Sequence, residues 1–218
     1  MSFIDNFIKD LKKINLSGKL IILESTSYPT TTRKKISDKI ATKNKSVGRD
    51  FFVGFSPERI NPGKNIIINK IPKLYSGITD NCSYLIHKLY KNVFNKLFKT
   101  NSIEVAETSK IYENIFRAVN IALVNEMKMI CDKLNIDIFE VIKAAKTKPF
   151  GFMPFYPGPG WGGHCIPVDP FYMSWIAKKN NISADFIKLS GKINSKISKF
   201  IVQKLINLKK KKNLKILI

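Results

Sequence analysis

The feature that most restricts the fold is the contrast between two segments of the chain. Residues 104–134 contain neither glycine nor proline, and their apolar side chains recur at helical spacing. This pattern predicts one helix of roughly 30 residues, about 45 Å long at 1.5 Å per residue. In residues 149–170, by contrast, half of the positions are glycine or proline. Because these residues interrupt helices and strands, the second segment predicts an irregular loop with a specific backbone path.

Short apolar strands alternate with helices before the long helix, and only helices are expected between it and residue 208. The alternation is typical of a parallel α/β sheet. The predicted strands are residues 19–23, 51–55, 73–76 and 99–103, and the predicted helices are residues 1–15, 30–43, 80–97, 138–146, 171–179 and 183–208. The fold class is therefore α/β, followed by an all-α part.

Both ends of the sequence have the pattern of a truncated chain. An α/β domain that binds a dinucleotide normally starts with a strand and a G-x-G-x-x-G turn, and this sequence contains no such turn. At the other end, residues 214–218 have the pattern of a strand that has just begun. We therefore expect parts of two domains to be missing.

The charge balance is strongly basic. The chain has 218 residues, with 38 Lys and Arg against 16 Asp and Glu, and a net charge of +22. Such a charge attracts phosphate-bearing partners, so a basic nucleic-acid-binding protein is one alternative. The charges are scattered, however, and dense only at residues 209–212, without zinc-finger spacing or an RNP-like aromatic strand. We interpret the charge as a compositional bias on a solvated surface.

The cysteine pattern favours a reducing compartment. Cys82, Cys131 and Cys165 are odd in number and widely spaced, which argues against a disulfide framework. No C-x-x-C pair or His/Cys cluster indicates a metal site. The sequence also has no secretory signal and no apolar run long enough to span a membrane. We therefore expect a cytoplasmic protein without a membrane partner.

Cys165 is the strongest candidate for a catalytic residue. It follows Gly162 and Gly163 and precedes a helix predicted to begin near Val168. A helix N-terminus stabilises a thiolate, which is a competent nucleophile. Asp169 lies about one helical turn later, where it can position a water molecule or a base. The alternative is an inert cysteine in a rigid loop.

Four further residues form two weaker constellations. Lys110 and Asn114 lie four residues apart and share one face of the long helix. Their alternative role is a solvated helix face with ion pairs to nearby glutamates such as Glu107. Thr26 and Glu58 each follow a predicted strand, at the edge where α/β sheets bind ligands. Their alternative role is ordinary capping and turn chemistry.

Four long segments, in this order, resemble one known family. They are LESTSYPTTT (23–32), GFSPERINPGK (54–64), AETSKIYENIFRAVNIALVNE (106–126) and TKPFGFMPFYPGPGWGGHCIPVDP (147–170). From about Leu16 onward the chain resembles the UDP-glucose/GDP-mannose dehydrogenase family, in particular the branch that oxidises UDP-N-acetylhexosamines. The resemblance implies an NAD-dependent nucleotide-sugar 6-dehydrogenase, which converts the C6 alcohol of a UDP-sugar into a carboxylate in two steps and reduces two NAD.

The resemblance also implies roles for single residues. Cys165 matches the family nucleophile, which forms a thiohemiacetal with the C6 aldehyde and then a thioester. Lys110 and Asn114 match residues that act on the C6 oxygen, and Asp169 matches the aspartate that organises the water. Thr26 matches a catalytic residue close to the nicotinamide. The implied cofactor-binding residues are Thr26 and Glu58, and the implied substrate-binding residues are Glu58, Arg59, Lys110, Asn114, Phe155, Tyr156 and Gly162.

Finally, the resemblance implies a domain organisation. Residues 1–103 match the later part of a Rossmann-like NAD-binding domain without its glycine-rich first unit. Residues 104–208 match an all-α central domain for catalysis and dimerisation, and residues 209–218 match the start of a C-terminal nucleotide-binding domain. The expected partners are a UDP-sugar, a second copy of the chain and a companion chain that carries the first unit. The alternative is an inactive remnant that retains only dimerisation.

Overall fold

The computed structural model describes residues 2–59 and 71–208, and these residues form two compact units that divide between Tyr112 and Glu113. We call them the sheet unit and the helical unit. The lysine-rich run at residues 209–212, the predicted strand at residues 214–218 and the expected start of a further domain lie outside the described residues.

The sheet unit contains four strands in the order in which they occur along the chain. They are β1 (Leu20–Leu23), β2 (Phe52–Phe55), β3 (Lys73–Gly77) and β4 (Leu97–Lys99). The pairs β1–β2 and β3–β4 are parallel, whereas β2 and β3 are antiparallel. The expectation of a wholly parallel sheet is therefore wrong at the β2–β3 pair. An antiparallel neighbour needs no crossover helix, so an alternating pattern of elements does not determine its direction.

Short helices pack against this sheet. They are α1 (Ser2–Leu11), a π-helical segment (Thr31–Ser37) that continues into α2 (Asp38–Ile40), and α3 (Asp80–Tyr90). The hydroxyl of Thr79 caps α3 by accepting a hydrogen bond from the backbone N–H of Cys82 at 3.3 Å. The helix ends at Tyr90, earlier than predicted, and β4 ends at Lys99, where a strand had been expected to begin. Phe51, Val53 and Phe55 are fully buried in the core.

The long helix α4 runs from Ile103 to Lys133. It agrees with the predicted helix to within one residue at either end. Three more helices follow, α5 (Ile138–Ala145), α6 (Asp169–Lys179) and α7 (Asp185–Leu208), all close to their predicted positions. Cys131, Ile138 and Ile142 belong to one core cluster of the helical unit. Among the described residues, no helix is both long and apolar enough to cross a membrane.

Candidate functional site

Thr26 and Glu58 lie at the same edge of the sheet. Strands β1 and β2 are parallel and in register, with Leu23 opposite Phe55, and each of the two residues comes three positions after its strand ends. Thr26 is half-buried, and the Glu58 side chain is about half exposed. The expected position at the carboxyl edge is therefore confirmed, and this edge is where α/β sheets bind ligands.

Lys73 places a buried ammonium group at this edge, and the sequence analysis did not single it out. Because β3 is antiparallel to β2, its first residue lies at the carboxyl end of β2. The Nζ atom is 3.2 Å from Glu24 Oε1 and 3.5 Å from Glu58 Oε2. The same ammonium lies 5.5 Å and 5.4 Å from the ring centroids of Tyr90 and Phe94. The only signal in the sequence is a lysine at the start of an apolar strand.

Three hydrogen bonds fix the residues beside Lys73. The hydroxyl of Tyr90 donates a 2.6 Å hydrogen bond to Glu24 Oε1, and burial raises the pKa of this phenol well above its ordinary value. The backbone N–H of Arg59 donates to Glu58 Oε1 at 2.7 Å, and the Arg59 guanidinium donates to the carbonyl of Pro72 at 3.1 Å. The Arg59 side chain is thus anchored to the residue directly before β3.

Glu107 is fully buried, which contradicts the alternative of a solvated helix face for this part of α4. Its carboxylate accepts hydrogen bonds from the backbone N–H of Thr30 at 2.6 Å, and from the backbone N–H and hydroxyl of Thr32 at 2.8 Å and 2.7 Å. Burial raises the pKa of Glu107 to about 7, although the bonds from Thr32 and Thr30 oppose the shift. The loop after Thr26 is therefore tied to α4, whose next turn carries the buried Lys110.

In the helical unit, the structure brings Asn114 and Asp169 together. Both residues are buried, and the side-chain amide of Asn114 donates a 2.6 Å hydrogen bond to Asp169 Oδ2. The Arg117 guanidinium donates to the carbonyl oxygen of the same amide. Asn114 is thus oriented from both sides. Arg117 was missed by the sequence analysis, although its spacing of three residues puts it on the Asn114 face of the helix.

Cys165 is exposed, whereas Cys82 and Cys131 are buried. Its backbone carbonyl accepts hydrogen bonds from the N–H groups of Val168 at 3.1 Å and of Asp169 at 2.8 Å. These bonds form the turn that leads into α6, so the expected position before a helix N-terminus is confirmed. Gly162 and Gly163 have φ values of 64° and 73°, a left-handed conformation that favours glycine.

Phe155, Tyr156 and Gly162, which the resemblance implied as substrate-binding residues, do not share one cavity. Phe155 packs edge-on against Phe116, with ring centroids 6.0 Å apart. It lines an apolar groove of about 740 Å³ formed by α4, α5 and residues 149–155. Gly162 instead lines a cavity of about 1010 Å³, together with Trp161 and residues of α7. Tyr156 is exposed.

Among residues 2–59 and 71–208, no group of three or more His, Cys, Asp or Glu residues is arranged to hold a metal ion. The described side chains that could take part in chemistry include an exposed thiol, a buried amide–carboxylate pair, and carboxylates at the sheet edge beside a buried ammonium.

Two family models match the chain. Residues 1–94 match the NAD binding domain of the UDP-glucose/GDP-mannose dehydrogenase family, and residues 104–196 match the central domain of the same family.

Individual proteins give the same result. The chain is 38% identical over 204 residues to a UDP-N-acetyl-D-glucosamine 6-dehydrogenase of Pseudomonas aeruginosa, an alignment that covers 91% of this chain and 47% of that protein. It is 40% identical over 197 residues to protein CapL of Staphylococcus aureus, an alignment that covers 89% of this chain and 46% of that protein. The solved structure of a UDP-D-ManNAc dehydrogenase from Pyrococcus horikoshii superimposes with a TM-score of 0.83 at 31% identity. The superposition covers 94% of this chain and 49% of that protein. The chain thus spans about half the length of the relatives it matches.

Proposed function

The chain belongs to the UDP-glucose/GDP-mannose dehydrogenase family, and we propose that it supplies the nucleophilic half of an enzyme that oxidises a UDP-sugar at C6 with NAD. One arrangement carries this proposal. Cys165 is exposed on the turn before α6, and the first residue of α6, Asp169, is hydrogen-bonded to the buried Asn114. An exposed thiol one helical turn before an oriented carboxylate suits a reaction that forms a thioester and then hydrolyses it.

In the proposed reaction, the C6 alcohol first loses a hydride, and its hydroxyl proton to solvent, to become the aldehyde. The thiolate of Cys165 adds to this aldehyde, and the resulting thiohemiacetal loses a hydride and its hydroxyl proton to become a thioester. Water then attacks the thioester carbonyl, releases the carboxylate and regenerates the thiol. Asp169, held by Asn114, orients this water and accepts its proton. Lys110 stabilises negative charge on the C6 oxygen, since a cationic donor favours a developing oxyanion.

NAD, when bound, accepts the hydride in each of the two oxidation steps. The sheet edge fits the reactive end of such a cofactor, because two parallel strands end there with a hydroxyl and a carboxylate, Thr26 and Glu58, beside the buried Lys73. Thr26 and Glu58 would hold the nicotinamide end. The sequence lacks the G-x-G-x-x-G turn that normally binds the pyrophosphate.

The proposed substrate is a UDP-N-acetylhexosamine. Support comes from the names of two similar proteins, a UDP-N-acetyl-D-glucosamine 6-dehydrogenase and a UDP-D-ManNAc dehydrogenase. The three cysteines are free, which fits activity in a reducing compartment such as the cytoplasm. The proposed substrate contacts are Glu58, Arg59, Lys110, Asn114, Phe155, Tyr156 and Gly162.

The proposed assembly is a homodimer. The face of α4 in the helical unit leaves Phe116, Leu123, Met127 and Ile130 exposed, and most of these residues border the apolar groove of about 740 Å³. Large exposed apolar patches are typical of protein interfaces. In the proposed organisation, residues 1–103 belong to the NAD-binding domain, residues 104–208 to the central domain and residues 209–218 to a further nucleotide-binding domain. The pyrophosphate-binding unit would lie outside residues 1–218, and a companion chain is one proposed source of it.

The test is an absorbance assay of NADH formation with UDP-N-acetylglucosamine and, separately, UDP-N-acetylmannosamine. Residues 1–218 are assayed alone and together with the segments of a full-length relative that lie outside the aligned half, fused or added in trans. We expect turnover only in this completed enzyme, because residues 1–218 contain no G-x-G-x-x-G turn to fix the cofactor beside C6. Cys165→Ser should then abolish formation of the acid, whereas Cys82→Ser, at a buried thiol, serves as the matched control.

Two outcomes would contradict the proposal. Acid formation that persists in Cys165→Ser would remove the nucleophile from the mechanism. A chain that dimerises but supports no NADH formation in any completed form would favour the alternative of an inactive assembly module.

A further inference from the structure

Two buried asparagines connect the helices of the helical unit to the glycine-rich loop. Asn125 of α4 and Asn194 of α7 are almost inaccessible to solvent. The Asn125 amide N–H donates to Asn194 Oδ1 at 2.9 Å, and the Asn194 amide N–H donates to the carbonyl of Ala118 at 3.2 Å. The backbone N–H of Gly158 donates to Asn125 Oδ1 at 3.0 Å. A directional chain of hydrogen bonds therefore runs from the loop into two helices.

The residues directly after Gly158 are anchored as well. The hydroxyl of Ser198 donates a 2.5 Å hydrogen bond to the carbonyl of Pro159. The Trp161 ring stacks on Phe171 of α6, with centroids 5.7 Å apart and an interplanar angle of 26°. Residues 158–161 thus have three successive attachments. Beyond them, residues 162–165 are exposed.

The far side of this exposed segment is also held in place. Asp169, four residues after Cys165, is bonded to Asn114 of α4. The thiol therefore sits between two fixed points, one at residues 158–161 and one at Asp169. Because the intervening glycines have little conformational preference, the position of the thiol depends on these fixed points.

We propose that Asn125 and Asn194 are positioning residues for Cys165. They fix the path of the loop at Gly158, so that residues 162–165 present the thiol in one place. The inference rests on the nucleophilic role proposed for Cys165, because a displacement of about 1 Å at a reacting atom lowers the rate substantially. Packing alone does not require this pair, since a buried hydrogen-bonded pair can often be replaced by apolar groups of similar shape at little cost.

The first experiment is a pH series on Asn125→Asp. A protonated carboxyl group imitates the amide, since its carbonyl accepts from Gly158 and its hydroxyl donates to Asn194. An ionised carboxylate cannot donate. We expect the hydrogen-exchange protection factor of the Gly158 amide to match that of the wild type at acidic pH. Once the carboxyl ionises, it can still accept from Gly158, but it loses its bond to Asn194 and requires solvation, so this buried contact should open more often. The protection factor should then fall about tenfold, the effect of one lost hydrogen bond.

The matched control is Asn120→Asp. Asn120 also lies on α4, but its amide donates to the carbonyl of Phe116 within the same helix. In the Asn120→Asp variant, the protection factor of the Gly158 amide should stay independent of pH. If Asn125→Asp also gives a flat profile, or if protection falls equally across all amides of the helical unit, the positioning role is wrong.

The second experiment is the double variant Asn125→Leu/Asn194→Leu in a Trp175→Phe background, where emission reports on Trp161 alone. We expect far-UV circular dichroism to stay native-like and acrylamide quenching of Trp161 to increase about twofold, as expected for a partly buried ring that becomes exposed. Unchanged quenching in a folded double variant would overturn the inference. If the double variant does not fold, the pH series on Asn125→Asp decides the question.

A third readout separates the inference from the proposed function. In the completed, active enzyme, the double variant should lower kcat about tenfold or more and leave KM nearly unchanged, because substrate contacts persist while the thiol is misplaced. If turnover cannot be reconstituted, the proposed function fails, but the measurements at Gly158 and Trp161 still decide whether the loop is held by this pair. If turnover is restored and kcat is unaffected, the positioning role fails alone.

Discussion

The side-chain amide of Asn114 donates a 2.6 Å hydrogen bond to the carboxylate of Asp169, and neither residue is accessible to solvent to any large extent. The bond connects the long helix α4 to the first residue of α6, one turn after Cys165. A polar pair in this position holds the start of α6 in one orientation. It therefore has consequences for stability as well as for the proposed chemistry.

Asn114→Leu should destabilise the protein by roughly 1–3 kcal/mol, because it removes a donor from the buried Asp169 carboxylate and an acceptor from Arg117. Urea denaturation followed by circular dichroism measures the loss. Asn120→Leu is the matched control, since it deletes an amide from the same helix without touching Asp169. A free energy of unfolding equal to that of the control would show that the pair contributes nothing.

Glu107 should make the stability of the sheet unit depend on pH. Its pKa is raised from 4.5 to about 7 in the folded chain, mainly by burial. The native state therefore binds a proton more tightly than the unfolded state. The free energy of unfolding should fall as pH rises from about 4.5 to about 7 and level off above that, with a total change of roughly 3 kcal/mol at about 1.4 kcal/mol per pKa unit.

Urea denaturation of the wild type and of Glu107→Gln across this pH range tests the prediction. The variant should lack the decrease, because an amide does not titrate. Glu140→Gln changes an exposed glutamate on α5 and should retain the wild-type profile. Parallel profiles for the wild type and Glu107→Gln would show that Glu107 titrates normally.

Cys165 should be the first of the three cysteines to react with iodoacetamide in the folded chain near neutral pH. It is exposed on a glycine-rich turn before a helix, whereas Cys82 and Cys131 are buried in the two cores. Peptide mass mapping at increasing times gives the order of labelling. All three should react at similar rates in urea. Faster labelling of Cys82 in the folded chain would contradict the assignment.

The exposed apolar face of α4 should produce self-association at tens of micromolar chain concentration. Leu123→Glu/Met127→Glu places two charges on this face and should shift sedimentation velocity profiles from dimer to monomer, because burial of unpaired charges is costly. Tyr84→Glu alters an exposed apolar residue on α3 and is the matched control. A wild-type chain that sediments only as a monomer would refute the predicted dimer.

Local patterns predicted the helices of this protein well and its buried polar contacts poorly. Helix α4 was predicted almost to the residue, because a long segment without glycine or proline has few alternatives. The direction of β3 was missed because strand pairing depends on contacts that are distant in sequence. The alternative of a solvated helix face near Glu107 was wrong because helical spacing shows which residues share a face, but not what covers it.

The same distinction between local patterns and distant contacts applies to the candidate site. The exposed Cys165 and its helix N-terminus follow from glycines, a proline and a helix start that are adjacent in sequence. The Asn114–Asp169 bond joins residues 55 positions apart, and the Asn125–Asn194 bond joins residues 69 positions apart. No periodicity predicts such pairs, since each forms only after the helices have packed. Lys73 was missed for the same reason, because its two carboxylate partners lie in the loops that follow β1 and β2.

Lys73 provides the last prediction, because Lys73 and Lys99 form lysine–carboxylate contacts in opposite environments within the sheet unit. The Lys73 ammonium is buried between Glu24 and Glu58, whereas Lys99 forms a 3.0 Å pair with the fully solvated Asp80. Exposed pairs contribute little, since solvent screens them and ordering two long side chains costs entropy. A buried ammonium, by contrast, must be paired, and it shields its two carboxylate neighbours from each other.

Lys73→Met should therefore lower the free energy of unfolding by roughly 1–3 kcal/mol, because two carboxylates lose their common cation, whereas methionine still fills the space of the lysine stem. Lys99→Met should give no measurable change. In 1 M NaCl the Lys73→Met variant should recover part of its loss relative to the wild type, since salt weakens the repulsion that remains between partly exposed carboxylates. Urea denaturation of the three proteins at low and high salt measures both effects. Equal losses for Lys73→Met and Lys99→Met would mean that burial of the Lys73 ammonium adds nothing to its ion pairs.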